Sequence, residues 1–326
     1  MLTRSRLRWL VIIIIITITI GALAPSPLIA DRLQPGAAAG FTRYVQLTEE
    51  RMQLELRPNG AFLWIDALTP ERRREAETAL RRGEIVTDRI ETRDPAGLVR
   101  LPGALIHHWV GLIFVPKASL DQVLRTVQDY DHHQRYYSPQ VLKSKLLQRT
   151  GDDFKVYLRL KQVKVITVVM DTEHEVHYAR LDKTRAQSRA YATHIAEVEH
   201  PGEKNERGLP AGNDHGFLWR LNSYWRFSAT PDGVYVQCEA ISLSRDVPAG
   251  LDALIGPFLE TIPKQSLEFT LRATRSAVLA APQAIDTVPA PENLYKKVLG
   301  TTISNLTWEA TNGDNRNLLD TWLARR

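Results

Sequence analysis

Acid–base chemistry is the reaction type that the sequence offers most directly, through His174, Tyr178 and Glu239. Histidine and carboxylate side chains are common general acids and bases, and a tyrosine can act with them within hydrogen-bond reach. His174 also has a simpler interpretation, as a core histidine whose ring is satisfied by one backbone partner. The chemistry therefore depends on whether the fold brings the three side chains into one pocket.

Two strand-like segments, 164–179 and 217–227, would carry a ligand-binding wall. Alternate residues of a strand share one face, and the more apolar face should point at the core or at a cavity. The two tryptophans of the second segment suit a flat or long apolar ligand, although an ordinary aromatic core would show the same stripe. The residues assigned to this wall are Ile166, Val168, Met170, His174, Tyr178, Trp219 and Trp225.

Metal and cofactor chemistry has little support in the sequence. Cys238 is the only cysteine, so an intramolecular disulfide and a site with several thiolates are both excluded. The nine histidines form no His-Glu-x-x-His or His-x₃-His pair, and His107 and His108 of one strand would point to opposite faces. Dinucleotide, Walker and serine-hydrolase motifs are also missing. We therefore predict neither a metal nor a cofactor, and we assign no catalytic residue.

The N-terminal segment 1–30 reads as an export signal or an uncleaved membrane anchor. Three arginines precede an almost wholly apolar run, and two prolines follow it before Ala30. Both interpretations place the folded part in the periplasm or cell envelope. Without these arginines the 42 basic residues fall to 39, against 37 acidic residues. A nearly balanced remainder gives little reason to expect a nucleic-acid partner.

An N-terminal extension, 31–100, is predicted to precede the main module. Its first ten residues are rich in proline, glycine and alanine, which is typical of a linker. Alternation over 41–66 around Pro58-Asn59-Gly60 predicts a hairpin. Thr69-Pro70-Glu71 then opens a basic helix that ends at Gly83. A polar tail, 282–326, follows the main module.

The main module, 101–281, is predicted to be α+β. A strand at 105–115 leads to a helix at 120–129, capped by Ser119, and an aromatic turn at 130–139. Strands follow at 141–148, 154–163, 164–179, 186–197, 216–229 and 233–245. An apolar helical segment at 248–260 precedes a closing helix that restarts at Pro263 and presents Leu267, Leu271, Thr274 and Val278 on one stripe.

Several phrases of the module resemble one superfamily. They are Ile106-His107-His108-Trp109, Val127-Gln128-Asp129-Tyr130-Asp131, Tyr224-Trp225-Arg226-Phe227 and the run from Glu239 to Pro248, followed by the closing helix. This order resembles the SRPBCC superfamily, the START-like or helix-grip group that includes lipid-transfer and polyketide cyclase/dehydrase-like proteins. The resemblance implies a curved antiparallel sheet wrapped around a long C-terminal helix and an apolar cavity. It implies no single activity and transfers no catalytic residue.

Three functional hypotheses follow. The first is an exported or membrane-tethered protein that binds an apolar small molecule, such as a lipid or isoprenoid, in an internal cavity. The second is a cyclase or dehydratase that uses His174 with Tyr178 or Glu239 as acid and base. The third is a structural envelope protein without a ligand.

Overall fold

The computed structural model describes residues 31–58, 60–163, 167–246 and 252–281. The predicted export segment 1–30 and the tail 282–326 lie outside the described residues. No helix in the described ranges is long and apolar enough to cross a membrane.

Strands dominate the chain from residue 86 to residue 245. In chain order the helices are α1 (Pro35–Glu55), α2 (Pro70–Arg81), α3 (Leu120–Gln128), α4 (His133–Tyr136) and α5 (Asp252–Ala280). The strands are β1 (Asp31–Arg32), β2 (Val86–Arg89), β3 (Arg93–Asp94), β4 (Gly97–Leu98), β5 (Ala104–Pro116), β6 (Val141–Thr150), β7 (Asp153–Val163), β8 (Thr167–Arg180), β9 (Arg185–Glu199), β10 (Arg207–Gly208), β11 (Asn213–Asp214), β12 (Arg220–Thr230) and β13 (Gly233–Arg245). The six predicted strands of the main module after 105–115 are all present as β6–β9, β12 and β13.

One nine-stranded antiparallel sheet organises the molecule. Its order is β2-β5-β13-β12-β9-β8-β7-β6, with β10 paired to β9. Hairpins connect β6 to β7, β7 to β8 and β8 to β9. Strand β5, in contrast, pairs with β13, which lies far from it in the chain. Strand β5 alternates between the two faces, so that Ile113 and Val115 pack on one side and Leu112 and Phe114 on the other. We call the first side the concave face, because α5 lies across it, and the second side the convex face.

Helix α5 packs closely against β5 because of one glycine. A Cβ atom on Gly111 would lie 2.7 Å from Leu271 Cδ1 and 3.2 Å from Leu267 Cδ2. The predicted stripe is confirmed, since Leu267, Leu271, Thr274 and Val278 are all buried. The predicted restart at Pro263 is wrong, because a single helix runs from Asp252 to Ala280. A proline removes one backbone donor and favours a kink, but it need not end a helix whose following turns are held by packing, here through Leu267 and Leu271.

The N-terminal extension covers the convex face. The predicted hairpin over 41–66 and the linker before it are wrong, because α1 begins at Pro35 and runs to Glu55. Its buried residues recur at helical spacing, a signal stronger than the short alternation that favoured strands. They are Ala37, Phe41, Tyr44, Thr48 and Met52. The second predicted helix is confirmed as α2, and Thr69 Oγ1 accepts from the backbone N–H of Arg72 at 3.5 Å.

The helix after β5 is also confirmed. Ser119 caps α3, and its Oγ accepts from the N–H of Gln122 at 3.2 Å. The aromatic turn that follows contains a 3₁₀ turn at Tyr130–His132 and the short helix α4. These elements close one end of the concave face, where Tyr130 enters the main core.

Candidate functional site

The concave face is filled at one end. Apolar side chains from the sheet pack there against α3 and the C-terminal half of α5, and we call this region the filled half. Its main members are Ile113, Val115, Phe154, Val156, Val176, Phe227, Val236, Leu271 and Val278. These residues are buried and form the hydrophobic core, so this end of the concave face offers no space for a ligand.

The opposite end of the concave face is only half-covered. We call it the open half and define it by Trp109, Leu221, Ser223, Trp225 and Ala240, each of which is half-buried. Ser223 lies opposite Ala240 on one side and Ala190 on the other, and Ala240 lies opposite Trp109. Small side chains therefore separate the two indoles. The Trp225 ring stacks on Phe227, with centroids 6.2 Å apart and planes at 10°, so the filled half supports it.

His174 lies on the concave face of β8, beside the open half. It is 8% exposed and stands opposite Ala192 of β9. Its Nε2 lies 2.9 Å from Thr172 Oγ1, and that hydroxyl donates to the carbonyl of Leu158 at 3.0 Å. Burial lowers the pKa of His174 to about 4, so the ring is neutral at neutral pH. The partner is a side chain, where the simpler interpretation expected a backbone group.

Tyr178 belongs to the filled half. Its Oη lies 2.8 Å from Tyr130 Oη and donates to the carbonyl of Val127 at 3.3 Å. Burial raises the pKa of Tyr178, which keeps the phenol protonated. Tyr178 thus closes a hydrogen-bonded contact between β8 and the turn after α3, and it does not reach His174.

The structure brings together only part of the predicted wall. Val168 is half-buried and Met170 is buried on the same strand as His174. Ile166 lies outside the described residues. Trp225 is on the concave face, as the alternation predicts.

Trp219 lies elsewhere, and its predicted position on the same face as Trp225 is wrong. It packs with Phe41, Ile241 and Leu243 on the convex face, and its Nε1 donates to Asp214 Oδ1 at 2.9 Å. The reason is local: Trp219 precedes the first residue of β12 and lies in a bend, so strand alternation does not extend to it.

The predicted acid–base set is also dispersed. Glu239 is on the convex face, where its Oε1 lies 2.7 Å from His108 Nε2. His174 and Tyr178 are four residues apart on one strand, a separation of about 13 Å. The geometric requirement for the cyclase or dehydratase hypothesis is therefore not met by these three residues.

A buried polar network on the convex face is the feature that the sequence analysis missed. Tyr44 Oη lies 2.9 Å from His108 Nδ1, and the guanidinium of Arg51 pairs with Glu239. Burial lowers the pKa of His108, and it would raise that of Glu239, but His108 and the nearby arginines reverse this and lower it. Strand alternation did separate His107 from His108: His107 Nε2 lies 2.9 Å from Ser244 Oγ on the concave side.

Two buried carboxylates lie near each other, Glu197 in β9 and Asp214 in β11. Glu197 accepts from His215 Nδ1 at 2.8 Å and from the N–H of Phe217 at 2.9 Å, and burial raises its pKa. Oδ1 of Asp214 accepts from the N–H of Gly216 and from Trp219. Within the described ranges, Asp214 Oδ2 is the only buried side-chain nitrogen or oxygen with no hydrogen-bond partner. No group of three or more metal-binding side chains occurs among the described residues.

Two surface clefts lie in other parts of the described chain. One of about 330 Å³ includes Gln148, Phe154, His177 and Arg189 in its lining. The other, of about 280 Å³, lies beside α3 and includes Arg125. Neither cleft is lined by the tryptophans of the open half.

The antiparallel strand order and the long helix across the concave face define the fold. It is a helix-grip fold. No protein-family model and no curated protein matches the chain. It is similar to a STAR-related lipid transfer protein from Xanthomonas axonopodis, with 19% identity over 56% of this chain and 98% of the other, at a TM-score of 0.35.

Two further solved structures are similar. The Zhui aromatase/cyclase from Streptomyces sp. R1128 shares 11% identity over 54% of this chain and 94% of its own, at a TM-score of 0.38. A Thermus thermophilus protein, TTHA0849, shares 14% identity over 55% and 99%, also at 0.38. START-like and aromatase/cyclase proteins are the group that the sequence resembles. At such TM-scores these likenesses carry no argument about ligand or activity.

Proposed function

We propose that this helix-grip domain binds an apolar small molecule or lipid on the concave face of its sheet. The observation that carries the proposal is the open half, where Trp109 and Trp225 remain half-buried while the filled half of the same face is buried. Large aromatic side chains that stay partly accessible on an inward face are typical of ligand-binding walls.

The residues of the open half fit this role. Ser223 and Ala240 are small and lie side by side on neighbouring strands, so they leave room above the sheet between the indoles. Each 100 Å² of apolar surface that the ligand and the wall remove from water contributes roughly 2.5 kcal/mol. The filled half holds the wall in place, so little order has to be created on binding.

The test is to purify the protein without denaturation, extract it with organic solvent and identify co-purified molecules by mass spectrometry. A matched pair of variants controls it: Ser223→Phe fills the open half, whereas Ser228→Phe adds the same ring to the convex side of the same strand. We expect a molar amount of an apolar compound with the wild type and Ser228→Phe, and a loss with Ser223→Phe. Equal recovery from both variants would exclude the open half as the binding site. No recovery from wild type, even after incubation with lipid, would favour a structural envelope protein.

We also propose that the chain is exported to the periplasm or envelope, either by a cleaved signal or by an anchor in segment 1–30. The basic start and the apolar run of this segment support the proposal. Fractionation of cells that express the chain, with the intact mass of the product, distinguishes cleavage from anchoring. A variant with Ile13→Lys and Ile15→Lys should stay in the cytoplasm. Export of that variant, or retention of the wild type, would contradict this proposal.

A further inference from the structure

His174 presents one unused ring nitrogen on the concave face. Its Nε2 is engaged by Thr172, and no hydrogen bond from the described part of the chain reaches its Nδ1. Nδ1 is not among the fully buried atoms that lack a partner, so it keeps some contact with solvent. The side chain lies on the same face as Val176, a residue of the filled half, and opposite the small, half-buried Ala192. Because β9 lies between β8 and β12, His174 is two strands, about 10 Å, from Leu221 of the open half. A ligand that covers the open half therefore reaches the His174 ring.

The protonation of this ring follows from its neighbours. The Thr172 hydroxyl has one hydrogen, and that hydrogen is directed to the carbonyl of Leu158. Thr172 Oγ1 must then accept from His174, which places the ring proton on Nε2. Nδ1 is left with its lone pair, and burial keeps the ring neutral because it lowers the pKa to about 4. His174 is thus a hydrogen-bond acceptor that faces the ligand side.

We propose that His174 Nδ1 accepts a hydrogen bond from the ligand, and that the ligand is a largely apolar molecule with a hydroxyl or another neutral O–H or N–H donor. This inference rests on the proposed binding function and names the ligand class. A carboxylate is disfavoured, because its oxygens would face the nitrogen lone pair and a buried neutral ring cannot compensate an anion. A pure hydrocarbon would leave Nδ1 without a partner, which costs free energy once the site is dry.

Matched probes test the proposal by equilibrium dialysis at pH 7. They are 2-naphthol, naphthalene and 2-naphthoate for a flat ligand, and decan-1-ol and decanoate for a chain. His174→Phe removes the acceptor, His174→Gln restores an acceptor oxygen, and His177→Phe makes the same change on the other face of β8. The decisive quantity is the change in the alcohol-to-hydrocarbon affinity ratio between wild type and His174→Phe.

We expect His174→Phe to reduce that ratio by about three- to tenfold, the size of one hydrogen bond. His174→Gln should recover part of it, and His177→Phe should leave it unchanged. An unchanged ratio in His174→Phe, or tightest binding of a carboxylate by the wild type, would overturn the proposal. If naphthalene still binds in that case, the container function survives, whereas failure of every probe to bind would overturn both.

Discussion

His108 Nε2 lies 2.7 Å from Glu239 Oε1 on the convex face, in the middle of a network that attaches helix α1 to the sheet. Tyr44 reaches the other ring nitrogen of His108, and Arg51 pairs with the same carboxylate. Since Tyr44 and Arg51 both belong to α1, the N-terminal extension is joined to β5 and β13 by a buried hydrogen bond and a partly exposed ion pair as well as by apolar packing. The sheet thus has a structural convex face and a concave face left for a ligand.

Removal of the Glu239 carboxylate should strongly destabilise the fold. Glu239→Leu leaves the buried His108 N–H without its partner and leaves Arg51 paired with Glu55 alone. A buried donor left without an acceptor costs about 1–3 kcal/mol. Urea unfolding measures the loss. Glu199→Leu is the matched control, because Glu199 pairs with the exposed Arg207 and should cost less than about 1 kcal/mol. Similar unfolding free energies for the two variants would refute a stabilising role for the network.

Stability should fall as the pH drops from about 6.5 to about 4. Burial lowers the folded-state pKa values of His133 and His174 to about 4, so in this window the unfolded chain takes up protons that the folded chain does not. Each histidine then accounts for a loss of up to about 3 kcal/mol. Urea unfolding of wild type and His174→Phe at several pH values isolates the contribution of His174 to this loss of stability. Identical pH slopes for the two proteins would contradict the burial argument.

Gly111 should not tolerate a side chain. The Cβ of Gly111→Ala would meet Leu271 Cδ1 at 2.7 Å, so α5 or the leucine must shift, which typically costs about 1–3 kcal/mol. Gly208→Ala is the control, because a Cβ there meets nothing closer than 3.9 Å. Thermal unfolding should show a clear decrease for the first and little change for the second. Wild-type stability of Gly111→Ala would mean that α5 does not pack this closely on β5.

Replacement of Asp214 by asparagine, unlike the preceding substitutions, should not lower the stability of the fold. Asp214→Asn keeps the Oδ1 acceptor for Gly216 and Trp219 and removes a buried charge beside Glu197, whose pKa is also raised by Asp214. We expect unchanged stability or a gain of about 1 kcal/mol. Asp214→Ala removes both hydrogen bonds and should lower stability by about 1–3 kcal/mol. A larger loss for the asparagine variant than for the alanine variant would show that the charge is required.

Local patterns predicted much of the main module because they act within one element. Strand alternation placed Met170, His174 and Trp225 on one side of the sheet, and helical spacing identified the stripe of α5 around Leu271. Alternation failed at Trp219, where the chain bends before β12 begins.

Contacts between distant segments could not be predicted in this way. The pairing of β5 with β13 decides that Glu239 meets His108, and no local pattern in either segment specifies it. Helix α1 was predictable in principle, because Phe41, Tyr44, Thr48 and Met52 recur at helical spacing. The short alternation near Gly60 favours strands and obscures that spacing.

The most direct test of ligand binding to the concave face is a titration with N-phenyl-1-naphthylamine, a neutral apolar fluorophore. Energy transfer from tryptophan to the bound probe gives the affinity for wild type, Ser223→Phe and Ser228→Phe, with thermal unfolding to confirm that each variant is folded. We predict saturable binding to wild type and Ser228→Phe and at least a tenfold loss for Ser223→Phe, because that ring would occupy the space between Trp109 and Trp225. Equal binding by the two folded variants would contradict the account.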